Sequence, residues 1–192
     1  MKTIALVGGP GSGKTKTLNY IRDNGIDLGL DNVITVSEIA ENIIKLNPLL
    51  RRDPWELQTA IYYTQLGIDE TLRSIYNELN TLLVFDRGLA DSKVYLTDMF
   101  HAFAVNNSTS LEEMFSHYDA VYILESAVVA EQYQITDVRT EDKMRAAELN
   151  LRTIDVWTKH PMNYFIGATE LPEDKIESVI SIIKHTYTDW AR

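Results

Sequence analysis

An α/β fold, a mostly parallel sheet covered by helices on both faces, is predicted by three observations. Five short apolar runs, residues 3–7, 33–36, 81–85, 120–124 and 164–167, have the length and composition of buried strands. Stretches with apolar residues at helical spacing separate them, and that alternation is the pattern of a parallel sheet with crossover helices. Between the first strand and the first helix stands Gly8-Gly9-Pro10-Gly11-Ser12-Gly13-Lys14-Thr15, which fits Gly, four residues, Gly-Lys-Ser/Thr.

Thr3-Ile4-Ala5-Leu6-Val7 is the first strand, and Lys14 to Asp23 a helix with Leu18 and Ile21 inward. A loop from Gly25 to Asp31 leads to the β-branched strand Val33-Ile34-Thr35-Val36. Ile39, Ile43 and Leu46 then mark a helix that Pro48 ends. Asp53-Pro54 reads as an N-cap and first-turn proline. The long helix that follows is expected to bury Leu57, Ile61, Ile68, Leu72, Ile75 and Leu79, with Trp55, Tyr62, Tyr63 and Tyr76 as packing residues on its other sides.

Thr81 to Phe85 forms a strand ending on Asp86, and Leu89 to Phe103 reads as helix. Ser110 caps a short helix reaching Tyr118, and Ala120 to Leu124 is a strand ending on Glu125. Residues 127–140 show no period, and about 126–142 is expected to form a lid. In the next helix Met144, Ala147, Leu151 and Ile154 are expected to face inward, with Arg145, Glu148, Arg152 and Asp155 as an exposed ion-pair ladder. Tyr164 to Gly167 is the last strand. Pro172, Glu173 and Asp174 open a final helix that buries Ile176, Val179, Ile180 and Ile183. No repeat or linker divides the chain, so residues 1–192 are expected to form one domain.

Composition narrows the function classes. The 192 residues carry a formal net charge of −10, which opposes binding to nucleic acid through a broad basic face. The absence of cysteine excludes disulfides and thiolate metal sites. The four histidines are dispersed, with no zinc-site spacing. No apolar run has the length of a membrane span and the start carries no signal peptide, so a cytoplasmic protein without a membrane partner is expected. Oligomeric state is not legible.

The glycine loop carries the chemistry. Gly8, Gly9, Gly11 and Gly13 let the backbone curl so that its N–H groups, with the positive end of the helix, make a pocket for phosphate oxygens. Pro10, Ser12 and Lys16 complete the expected nucleotide-binding segment. Lys14 would reach the terminal phosphates of ATP and Thr15 would hold Mg2+. In a parallel sheet, ligands bind beyond the carboxyl ends of the strands, which collects Ser37-Glu38, Asp86-Arg87 and Glu125 beside the loop. Asp86 is the expected second Mg2+ ligand. Motor ATPases of this superfamily place a water-activating Glu after that Asp, whereas Arg87 stands here. No guanine-reading Asn-Lys-x-Asp is present. Phosphoryl transfer to a bound acceptor is therefore expected, with Glu38 or Asp86 taking the proton and Arg139 closing from the lid. Glu38 reads equally as a carboxylate stabilised by a helix dipole, and Arg139 as a surface arginine.

With these motifs, Asp86-Arg87-Gly88-Leu89-Ala90-Asp91-Ser92 with Tyr95, Arg139-Thr140-Glu141, and Trp157 with His160-Pro161, the chain resembles small P-loop proteins classed as AAA-type ATP-binding domains. Their core is like that of nicotinamide-ribonucleoside kinases or thymidylate kinases. The resemblance implies a three-layer P-loop NTPase sandwich, with five parallel strands in order 2-3-1-4-5 and a helical lid. It places Asp86 and Arg87 at the metal and acceptor site, Glu38 facing the acceptor, Arg139 before the lid helix, and Ala168 and Thr169 near adenine. It implies an ATP- and Mg2+-dependent kinase of a nucleoside- or nucleotide-like small molecule. Thymidylate kinases carry an Arg and a Pro around the second-strand Glu, whereas Ser37 and Ile39 flank Glu38 here. The alternatives are a kinase of a hydroxymethylated pyrimidine in DNA, as in some viral relatives, and an ATPase or nucleotide-gated binding module.

Overall fold

The strand that carries the glycine loop is the hub of the sheet. In the computed structural model, which describes residues 1–126, 143–169 and 171–190, β1 (Lys2–Val7) pairs in parallel with β3 (Thr81–Asp86) on one side and β4 (Ala120–Leu124) on the other. β2 (Asn32–Val36) adds outside β3, and β5 (Asn163–Ile166) outside β4. All four pairings are parallel, and the order β2-β3-β1-β4-β5 is the one the resemblance implied. This is the α/β fold of P-loop NTPases.

Successive side chains of a strand point to opposite faces, so each central strand feeds two cores. Ala5, Val7, Leu83, Phe85, Val121 and Ile123 pack on one face with Phe103, Met114 and Trp157. Ile4, Leu6, Leu82, Val84, Tyr122 and Leu124 pack on the other with Leu18 and Ile21 of α1 (Lys14–Asn24) and Val179 and Ile183 of α8 (Pro172–Trp190). Burial on both sides explains why these strands read as unbroken apolar runs.

Around the sheet, α2 (Ile39–Leu46) ends before Pro48, which opens a 3-10 turn to Arg52. α3 (Pro54–Tyr76) starts where Asp53 Oδ1 accepts from the amides of Trp55 and Glu56. Ile68 and Leu72 of the expected stripe pack partly buried against the core, but the most buried residues of the helix are Gln58, Tyr62, Gln65 and Asp69, and Ile75 and, past the helix end, Leu79 are exposed. The helix turns a polar line toward the site and the sheet, which hydropathy cannot anticipate. The expected helix over 89–103 is broken into α4 (Asp91–Leu96), a 3-10 turn over Thr97–Met99, and α5 (Phe100–Asn106), with Thr97 at φ 49°. Ser110 caps α6 (Leu111–Ser116) by accepting from the Glu113 amide, as expected.

α7 (Lys143–Trp157) also turns a different face inward. It buries Ala146, Leu149, Asn150, Thr153, Val156 and Trp157, while Met144 and Leu151 lie 82% and 67% exposed. Asn150 and Trp157 are drawn in by hydrogen bonds to Ser126 and Asp91, so polar contacts set its rotation. Of the expected ladder, Arg145–Glu148–Arg152 forms on the outside, while Asp155 pairs with Lys159 instead. The lid expected over about 126–142 lies, apart from Ser126, outside the described residues, and Arg139 with it. Among the described residues no helix is long and apolar enough to cross a membrane.

Candidate nucleotide and acceptor site

Each glycine of the loop after β1 is required for a nameable reason. Gly11 and Gly13 adopt φ 75° and 94°, where a side chain is strained. A Cβ on Gly8 would lie 2.2 Å from the Leu124 carbonyl oxygen, and one on Gly9 would lie 2.7 Å from Asn150 of α7. The loop therefore lies flat against β4 and α7. α1 begins at Lys14 with Gly13 as its N-cap and no side chain capping its first amides. Free amides at a helix start make an anion-binding end.

Lys14 is folded back onto this loop. Its Nζ donates to the carbonyls of Gly8 at 2.8 Å and Gly9 at 3.1 Å and to Ser12 Oγ at 3.0 Å. Burial, with a further contribution from Arg87, lowers its pKa to about 8. Other contacts hold the loop from outside. Lys175 Nζ donates to the Glu125 carbonyl at 2.6 Å and the Ser12 carbonyl at 3.4 Å, and Ser126 Oγ donates to the Pro10 carbonyl. Glu125, expected to face the ligand edge, instead accepts from the Ala168 amide at 3.0 Å and ties β4 to the loop after β5.

The residues expected to hold Mg2+ meet. Thr15 Oγ1 donates to Asp86 Oδ2 at 3.0 Å, while Asp86 Oδ1 is buried without a hydrogen-bond partner among the described residues. Burial raises the Asp86 pKa from its ordinary value. An unmatched, desolvated carboxylate oxygen beside a hydroxyl fits a hard cation. Among the described residues no group of three or more His, Cys, Asp or Glu could hold a metal, so water and phosphate oxygens would complete the shell.

Arg87 occupies the left-handed region, at φ 79°, which is unfavourable for a side-chain-bearing residue and common at functional sites. Its amide donates to the Leu6 carbonyl at 3.0 Å, and its carbonyl accepts from Gln65 Nε2 at 3.1 Å. Its guanidinium is held by Glu38, with Nε 2.9 Å from Oε1, and by Asp91, with Nη1 donating to Oδ2 at 3.2 Å. The Tyr95 ring centroid lies 5.8 Å away. Burial acts to lower the Arg87 pKa, but Glu38, Tyr95, Asp91 and Asp86 raise it, so the cation is permanent. Arg87 in turn holds the Glu38 carboxyl below its usual range against the effect of burial. Trp157 Nε1 donates to Asp91 Oδ1 at 2.6 Å, and Gly88 packs so closely on Trp157 that a Cβ would lie 2.4 Å from the ring.

A cavity of about 670 Å3 opens between the loop, α2 and α3, and Pro10, Ser12, Lys14, Thr15, Lys16, Glu38, Asp86 and Arg87 all line it. The cavity thus gathers the loop from Pro10 to Lys16 with Glu38, Asp86 and Arg87, while Gly8 and Gly9 lie outside its lining and Glu125 is turned to Ala168. Sequence reasoning gave no role to Asp91, Gln65, Asn150 or Lys175. For Asp91 a signal existed: it stands four residues after Arg87, the spacing of a helical ion pair. The other three act through contacts distant in sequence.

The family model described as an AAA domain matches residues 3–174. No curated protein matches the chain.

Proposed function

From a chain that belongs to the AAA-domain family, a P-loop nucleotide-binding family, we propose an ATP- and Mg2+-dependent phosphotransferase acting on a hydroxyl or phosphate of a nucleoside- or nucleotide-like acceptor. The observation that carries this is the Arg87–Glu38 pair, directed into a roomy cavity beside the metal carboxylate where a hydrolase would place a water-activating glutamate.

The residues divide the work. The loop amides and Lys14 hold the β- and γ-phosphates, and binding draws the Lys14 ammonium off the Gly8 and Gly9 carbonyls. Thr15 and Asp86 would hold Mg2+, which would supply charge neutralisation at the phosphates. Arg87 binds the equatorial oxygens of the moving phosphoryl group or the acceptor. Asp86 is committed to the cation, so Glu38, kept ionised by Arg87, takes the hydroxyl proton as the acceptor oxygen bonds to the γ-phosphorus and the bond to the β-phosphate oxygen breaks. Arg139 is proposed to close over the phosphates.

The test uses γ-labelled ATP with Mg2+ and, in turn, nucleosides, nucleotides, nicotinamide riboside, and DNA containing 5-hydroxymethyluracil. Label on a small acceptor supports the reading. Label on DNA assigns the viral-type activity, and free phosphate alone, indifferent to any acceptor, makes the protein an ATPase.

A further inference from the structure

Away from Arg87 the cavity changes character. Its walls there are mostly aliphatic, Ile39 and Ile44 from α2 and Leu57 and Ile61 from α3, with the Gln58 amide among them, while Tyr62, Glu41 and Arg51 also line the cavity. Gln58 is 5% exposed and lines the cavity, and no described residue hydrogen-bonds its side chain. On the same helix the Gln65 Nε2 is engaged, donating to the Arg87 carbonyl and to Tyr118 Oη. The Gln58 amide is not among the buried unpartnered groups, so it opens to the cavity, where a ligand can supply its hydrogen bonds.

α3 acts as a ruler between the two ends. Seven residues, nearly two turns, separate Gln58 from Gln65, so both lie on one face about 10 Å apart along the axis. Gln65 holds the Arg87 backbone, which fixes the reacting end. The far end is a largely apolar slot into which Gln58 sets one donor and one acceptor. A flat ring with apolar faces and a donor–acceptor edge fits that slot, and a nucleoside places such an edge at about this distance from its sugar hydroxyl. Side-chain amides form paired hydrogen bonds with base edges of this kind.

We propose that Gln58 is the specificity-determining residue for the acceptor, pairing with the base edge of a free nucleoside or nucleotide held between α2 and α3. The phosphotransferase reading enters only in assigning the reacting end to Glu38, Asp86 and Arg87.

The test measures equilibrium binding and label transfer separately for the full chain, Gln58→Leu and Gln58→Glu. The probes are thymidine, deoxycytidine, deoxyadenosine, 2-deoxyribose, and an oligonucleotide containing 5-hydroxymethyluracil. Saturable nucleoside binding is expected, weakened tenfold or more by Gln58→Leu, with ATP affinity and melting temperature unchanged. Gln58→Glu, which keeps only acceptors, is expected to shift preference from thymidine toward deoxycytidine, a change that a packing role would not produce. Equal nucleoside affinity in wild type and Gln58→Leu, 2-deoxyribose binding as well as nucleosides, or binding of the oligonucleotide alone would each overturn the proposal. Gln58-dependent nucleoside binding with label released only to water would uphold it and instead remove the phosphotransferase reading. Transfer to 2-deoxyribose as efficient as to nucleosides would do the reverse.

Discussion

Arg87 Nε lies 2.9 Å from Glu38 Oε1, joining the residue after β3 to the residue two positions beyond β2. This pair keeps Glu38 ionised and aims Arg87 into the cavity. Glu38→Gln retains the shape and removes the proton acceptor. Steady-state kinetics with a competent acceptor are expected to show kcat reduced about 10²–10³-fold with little change in the KM for ATP. An equal loss of ATP affinity would instead make Glu38 part of the nucleotide pocket.

Asp91 grips the other side of Arg87 and is itself held by Trp157. Asp91→Asn leaves one fewer charge on the guanidinium and is expected to lower kcat at least tenfold, because a misaimed cation loses transition-state contact. Trp157→Phe is expected to show a smaller effect in the same direction, while stability falls by about 1–3 kcal/mol in urea titration as a buried acceptor loses its donor. Unchanged kcat in both variants would confine this chain of contacts to packing.

Gly88 illustrates how closely α7 supports the site. Its Cβ position lies 2.4 Å and 2.6 Å from two Trp157 ring carbons. Gly88→Ala forces the ring or the Arg87–Gly88 backbone to move, and is expected to cost about 1–3 kcal/mol in denaturant unfolding. A change within about 0.5 kcal/mol would show that the indole yields freely.

At the opposite end of α3, Asp69 is 3% exposed, with Arg73 Nε 2.9 Å and His117 Nδ1 2.7 Å from its carboxylate. Burial acts to raise its pKa, but hydrogen bonds from His117 and Arg73 win and hold the carboxyl below its ordinary value. A carboxylate with a depressed folded pKa stabilises the protein above its unfolded pKa, and the contribution is lost as pH falls through the folded value. Asp69→Asn is expected to cost about 2 kcal/mol at pH 7, a figure discounted because Arg73 is 38% exposed, and to flatten the loss of stability below about pH 4. Parallel pH–stability curves for the two proteins would contradict this.

The parts of the molecule that follow from local pattern were legible in the sequence. The central strands are buried on both faces and read as apolar runs. Asp53 and Ser110 cap through contacts within three residues, and the loop from Gly8 to Thr15 is contiguous. Adding the rule that ligands sit at strand ends placed Glu38, Asp86 and Arg87 together. What escaped was the rotation of α3 and α7. α3 turns inward on Gln58, Gln65 and Asp69, which hydropathy assigns to solvent, whereas α7 buries Asn150 and Thr153 within a second apolar face of Ala146, Leu149, Val156 and Trp157. Glu125 escaped because its partner, the Ala168 amide, lies 43 residues away.

The central claim is that the loop over residues 8–15 receives a triphosphate tail whose phosphates take over Lys14 from the Gly8 and Gly9 carbonyls. Calorimetric titration of Mg2+–ATP into the wild-type protein and into Lys14→Ala tests this most directly. Saturable one-to-one binding by wild type, weakened at least 100-fold in a variant with an unchanged circular dichroism spectrum, is the expected result, corresponding to about 2.7 kcal/mol. Equal affinity in the two proteins, or no detectable heat from any purine triphosphate with the wild type, would contradict it.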